Sequence, residues 1–89
     1  MSASYEPTSL AGVKVVLADV AELTRTAHRH VELAMSRLAE ATAHLAELGR
    51  QHHEPLVPAG LLRAEAELEH GLQLLAVAAT AVADIDARL

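Results

Sequence analysis

The sequence contains no cysteine, phenylalanine or tryptophan, and Tyr5 is its only aromatic residue. Without cysteine, disulfides, thiolate zinc sites and cysteine nucleophiles are excluded, and the redox compartment is left open. Without large aromatics the core has to be built from Leu, Val and Ala, a palette suited to close helix packing and poorly suited to sheets. Positive charge is scarce too: 7 Lys and Arg against 12 Asp and Glu give a formal net charge of −5. That balance argues against non-specific nucleic-acid binding, which needs a basic face to displace counterions. The opening MSASYEPTS has no basic segment followed by an apolar run, so it does not read as a signal peptide. The most apolar run, LLAVAATAVA from Leu74 to Ala83, is too short to span a bilayer. A cytoplasmic protein without a membrane span is the expectation, and secretion by a signal-less specialised route is compatible with it.

What the sequence does contain is periodicity. Its 89 residues, 52% of them hydrophobic, make at most one domain. Residues 1–8 read as a tail, with Pro7 blocking an earlier helix start and Thr8 or Ser9 as N-cap. Over 9–48 the apolar positions step by three and four. Heptad position a takes Leu10, Leu17, Thr24, Val31, Leu38 and Leu45, and position d takes Val13, Val20, Ala27, Ala34, Ala41 and Leu48. Thr24 interrupts the stripe, but its hydroxyl can bond to a carbonyl in the preceding turn. Gly49 suits a helix C-terminus, and the polar, proline-containing segment 49–57 reads as a loop. Pro58 opens a second helix over 58–88, with Leu61, Leu68, Leu75, Val82 and Leu89 at a and Ala64, Gly71, Ala78 and Ile85 at d.

The fold class expected is all-α: two long antiparallel helices forming a helical hairpin in one domain, 9–89. Folding about the loop pairs Ala41 with Ala64, Ala34 with Gly71 and Ala27 with Ala78, so small residues meet small and the a residues meet each other. These Ala/Gly layers are expected to bring the two axes close together. On that reading Gly71, which gives up about 1 kcal/mol of helix propensity relative to Ala, makes room beside Ala34.

Apolar side chains remain outside this seam: Val15, Val16, Leu23, Leu33 and Met35 on the first helix, and Leu62, Leu72, Leu74, Val77 and Ala81 on the second. A second apolar stripe on a two-helix protein points to association, with a homodimeric four-helix bundle the commonest closed form. Val16, Leu23, Leu74, Val77 and Ala81 are the residues assigned to that intermolecular surface. The function expected is therefore that of a non-catalytic interaction protein that self-associates or docks a protein partner, without a cofactor.

Chemistry-bearing residues are few. There is no glycine-rich phosphate loop, no nucleophile elbow and no His-Glu-x-x-His. Six histidines are present; His28/Glu32 and Glu40/His44 have the i,i+4 spacing of ordinary helix-surface pairs, and His52 and His53 fall in the loop. Glu67-x-x-His70 is the spacing used by di-iron carboxylate bundles. In this it resembles the two-helix encapsulated ferritins, whose iron site forms across a dimer interface. That resemblance implies a second reading, a metal-binding protein with Glu67 and His70 on the second helix and Glu32 as the first-helix carboxylate.

The architecture as a whole, two Ala/Leu-rich helices around the loop GRQHHEPLVPAG, resembles that of the WXG100 (ESAT-6-like) secretion proteins, which are helical hairpins that pair as dimers. The loop here has no Trp-x-Gly and the C-terminal ADIDARL has no tyrosine of the secretion signal. The alanine-rich, arginine-over-lysine usage is similar to that of small helical-hairpin proteins of high-GC actinobacterial genomes. Neither likeness assigns a functional residue.

Overall fold

The computed structural model describes residues 9–89; the expected tail 1–8, and Thr8 with it, lies outside the described residues. Two helices account for nearly all of it, α1 over Leu10–His52 and α2 over Ala59–Arg88, antiparallel and 64 × 29 × 15 Å in extent. The radius of gyration is 20.0 Å, against about 12 Å for a globular chain of this length. The molecule is a rod two helices wide and one helix thick.

Helix α1 starts where its sequence provides a cap. The Ser9 hydroxyl accepts from the Gly12 amide at 2.9 Å, and the Val13 amide reaches the Ser9 carbonyl at 2.9 Å. Its end lies beyond the expected one: Gly49 stays helical and the chain turns at His53, in the left-handed region at φ 55°. There the Glu54 amide bonds to the Gly49 carbonyl at 2.9 Å and the His53 amide to the Arg50 carbonyl at 3.4 Å, the paired bonds of a Schellman motif. The helix passes Gly49 because Arg50, Gln51 and His52 are all compatible with it. It stops because Pro55 excludes Glu54 from the helical region. His52 therefore belongs to the last turn of α1, where with Arg50 it complements the helix dipole, and does not belong to the loop. Pro58 caps α2, one residue from its expected place.

The seam differs from the expected a/d pairing by one heptad position on α1. Position a faces inward as expected from Leu17 on, with Leu17, Val31, Leu38 and Leu45 half-buried and Thr24 buried, whereas Leu10 is exposed. The second inward row is e from Ala21 onward, made of Ala21, His28, Met35, Thr42 and Gly49, with Lys14 exposed, whereas Val20, Ala34, Ala41 and Leu48 at d are exposed and Val13 and Ala27 are half-buried. Met35 and Leu72, expected on the surface, are half-buried for the same reason. On α2 the inward residues are Leu61, Leu68, Leu75 and Val82 at a, with Ala64 and Gly71 at d and Glu65 and Leu72 at e; Ala78, Ile85 and Leu89 are exposed. The close Ala34–Gly71 layer is not formed within the chain, because a Cβ built at Gly71 meets nothing within 4 Å.

The loop explains this rotation. A Cβ at Gly49 would run into the Glu54 carbonyl and lie 3.4 Å from the Leu56 amide, so the returning chain presses directly on this glycine. The face of α1 that carries Gly49 must point toward the loop and α2. Thr42, Met35 and His28 follow it inward at heptad intervals. Thr24 behaves as its position requires: it is 9% exposed and its hydroxyl donates to the Val20 carbonyl at 2.8 Å.

Glycine substitutions should separate these roles in thermal unfolding followed by circular dichroism. Gly49→Ala should destabilise despite alanine's better helix propensity, because the clash is with backbone. Gly60→Ala, where a Cβ meets nothing within 4 Å, should stabilise by about 0.5 kcal/mol. His53→Gly should relieve the left-handed strain and stabilise by about 1 kcal/mol.

Candidate interaction surface

Among the described residues no hydrophobic side chain is buried; the buried positions are Gly12, Thr24 and Gly49. A single hairpin thus has a half-covered seam and no core. Its surface of 6635 Å² is about 1600 Å² larger than the roughly 5000 Å² expected for a folded monomer of its mass.

Most of the exposed large apolar residues lie on one side of the rod; Leu10, Val15, Leu62 and Leu89 do not. In an antiparallel pair packed through position a, the e positions of both helices lie on one flank and the d and g positions on the other. Thr42 and Glu65, both e, hydrogen-bond to one another, and Lys14 and Asp86, also both e, approach to 3.5 Å, which marks the e flank. The opposite flank carries Val16, Val20 and Leu23 of α1 and Leu74, Ala81 and Ile85 of α2, all exposed, with Val77 at its edge. The five residues assigned from sequence to an intermolecular surface are exposed, Leu23 at 68% and Val77 at 65%. Sequence reasoning placed Val20 and Ile85 in the intrachain seam; they stand on this flank beside the others. The d/g row of α1 from Val13 to Ala27, and of α2 from Gly71 to Ile85, contains no charged residue.

The e flank is differently built. Its cleft is lined by Leu17, Ala21 and Val82, with Lys14, Arg25 and Asp86 at the rim. The cations are already engaged: Lys14 by Asp86 and Arg25 by Glu22 at 2.7 Å. The hydrogen bond from Arg25, followed by its charge, holds the Glu22 carboxyl below the usual carboxylate range. Such exposed pairs add little to stability.

The candidate metal ligands do not converge within one chain. Glu32, at position b, lies toward the e flank, where its Oε1 is 3.3 Å from His28 Nδ1. Glu67, at g, lies on the d/g flank, and His70, at c, on its outer edge. Among the described residues no three His, Asp or Glu side chains are grouped so that they could hold a metal ion. A dimer formed through either flank would leave Glu32 or Glu67 on its outer surface.

Helix α2 is long and apolar enough to cross a membrane by length and composition alone. The part without charge, between His70 and Asp84, gives about 20 Å of helix, whereas a hydrocarbon core is about 30 Å thick.

The Thr42–Glu65 contact is the polar tie at the loop end of the seam, and the Thr42 hydroxyl also lies 3.0 Å from the Leu38 carbonyl. Thr42→Val should leave a half-buried carboxylate without its partner and destabilise by about 1 kcal/mol. In thermal unfolding that should lower Tm by roughly 4–8 °C, with Thr42→Ser close to wild type. An unchanged Tm for Thr42→Val would remove this contact from the account of the seam.

No protein-family model, curated protein or solved structure matches the chain. Its functional reading therefore rests on the faces of its two helices.

Proposed function

We propose that the protein is a non-catalytic interaction module, a helical hairpin that self-associates through its d/g flank to complete a four-helix bundle. The observation that carries this reading is the lack, among the described residues, of any buried hydrophobic side chain, while Val16, Leu23, Leu74, Val77 and Ala81 stand exposed. A helix with an apolar stripe is stable in water when the stripe is covered by another element. Two hairpins stacked face to face provide that cover for both stripes at once. The flank is about 45 Å long, the length of α2, and roughly 20 Å wide. This amounts to about 900 Å², the area each partner contributes to a standard specific interface. The short uncharged stretch of α2 favours a protein partner over a bilayer.

Replacing Leu74 and Val77 together by Glu puts two charges on this flank without touching the half-buried seam. Light scattering of the double variant should give the mass of a single chain, or circular dichroism should show loss of helix. An oligomer of unchanged mass and helicity would overturn the proposal.

A further inference from the structure

We infer that two copies stack with their loops at the same end, α1 of each over α2 of the other, so that Arg37 and Glu40 of one copy pair with Glu67 and Arg63 of the other. This rests on the self-association proposed above and adds how the partner, a second copy of this chain, lies on the flank.

Charge on this side of the rod is unevenly placed. With histidine counted as neutral, Arg37 is the only charged residue at d or g of α1. Glu67 is the only one on α2 before Arg88 at its end. Beside them at position c, on the outer edges of the flank, stand Glu40 on α1 and Arg63 on α2, and all four side chains are exposed. Arg37 comes to 4.0 Å from Glu40, while neither Glu67 nor Arg63 has an ion-pair or hydrogen-bond partner among the described residues. Counted from the loop, α1 presents an acid and then a base, and α2 presents a base and then an acid. The two helices are complementary to each other, and neither is complementary to itself.

Loops at the same end place the two-fold axis along the rod. A residue of α1 is then level with the same α2 residues in the other copy as in its own chain, and the Thr42–Glu65 and Lys14–Asp86 contacts set those levels. Within one chain Arg37 and Glu67 are level to within a turn but point to opposite edges of the flank. Across the stack, α1 and the other copy's α2 share an edge. Arg37 there meets Glu67 and Glu40 meets Arg63, each twice by symmetry. Toward the open end Leu23 meets Ala81, and Asp19 falls between Asp84 and Arg88, one acid and one base. With loops at opposite ends, α1 lies over α1 and the four charges are divided. At full overlap Arg37 then lies over Leu23, Glu67 over Ala81 and Glu40 beside Asp19, and only Arg63 meets an opposite charge, Asp84. Sliding the copies until Glu67 reaches Arg88 puts Arg37 over Val16 and leaves Glu40 and Arg63 unmatched. Opposite charges held level across an interface fix register, and like charges are destabilising. The small residues at d fit either stack and do not choose between them. In the stack that the charges select, both loops, with His52 and His53 exposed, share one end of the bundle.

Charge swapping tests the pairing. Arg37→Glu and Glu67→Arg should each raise the dimer dissociation constant about tenfold in sedimentation at low salt, and the double variant should restore it. The two single changes move the net charge in opposite directions, so weakening by both reads a local pair. A constant unchanged in either single variant, or not restored in the double one, would overturn the pairing. Spin labels read the arrangement without touching the flank. The sequence has no cysteine, so Glu54→Cys in the exposed loop gives one label per chain. Loops at the same end should give an interlabel distance under about 30 Å, two helix layers and the label arms. A distance near the 64 Å length of the rod would show loops at opposite ends and overturn the arrangement. A wild-type chain that stays monomeric at all concentrations would instead remove the self-association on which the arrangement rests.

Discussion

The contact between the Glu54 carbonyl and Gly49 sets the geometry of the whole rod. A helix with two plausible inward rows, d and e beside a, has no strong reason to prefer either, since both are mixtures of small and medium side chains. The returning loop decides between them. It can approach α1 only where there is no side chain, and it pulls the Gly49 face inward; Thr42, Met35, His28 and Ala21 follow it, whereas toward the open end Val13 is half-buried and Lys14 exposed. The Schellman bonds to the Gly49 and Arg50 carbonyls hold the turn in register. One missing Cβ at the end of α1 thus determines which stripe α2 covers and which is left in water.

Much of the architecture was legible from residue order alone. The two helices, their antiparallel pairing, the Ser9 cap, the inward a row and the back-bonded Thr24 follow from periodicity and capping chemistry, which act locally. The rotation of α1 about its own axis did not follow. By size Ala27, Ala34 and Ala41 form a packing row, whereas the e row of Ala21, His28, Met35, Thr42 and Gly49 mixes polar with apolar side chains and carries no such signal. Gly49 was assigned to a helix end on its φ freedom, when its use lies in the space it leaves open. A sequence signal for this existed in Pro55, which marks where α1 must already have ended. The surface residues Val16, Leu23, Leu74, Val77 and Ala81 were legible because g and c stay outside whether d or e completes the seam. Glu32, Glu67 and His70 share the opposite lesson: spacing along one helix says nothing about the facing of another.

The seam that results is a modest one. It contains a buried threonine, a half-buried histidine and a half-buried carboxylate, and its largest apolar members remain partly wetted. Back-bonding by Thr24, the His28–Glu32 contact and the Thr42–Glu65 tie engage those polar groups, so the hairpin is shaped as a layer without being a core in its own right. On the proposed assembly, the layer would gain its stability from what covers it, and folding and association would be difficult to separate.

The alanine-rich flank has a further consequence for how this surface responds to change. Alanine and glycine have no rotamers to lose, so a surface made of them can be covered with little loss of side-chain freedom. The same residues offer almost nothing to delete. If this flank is covered as proposed, sensitivity to substitution along positions 27, 34, 71 and 78 would be one-sided, with little side chain to lose and much to lose by growth. Sequence drift at these positions would be bounded by volume, and polarity would matter less than size.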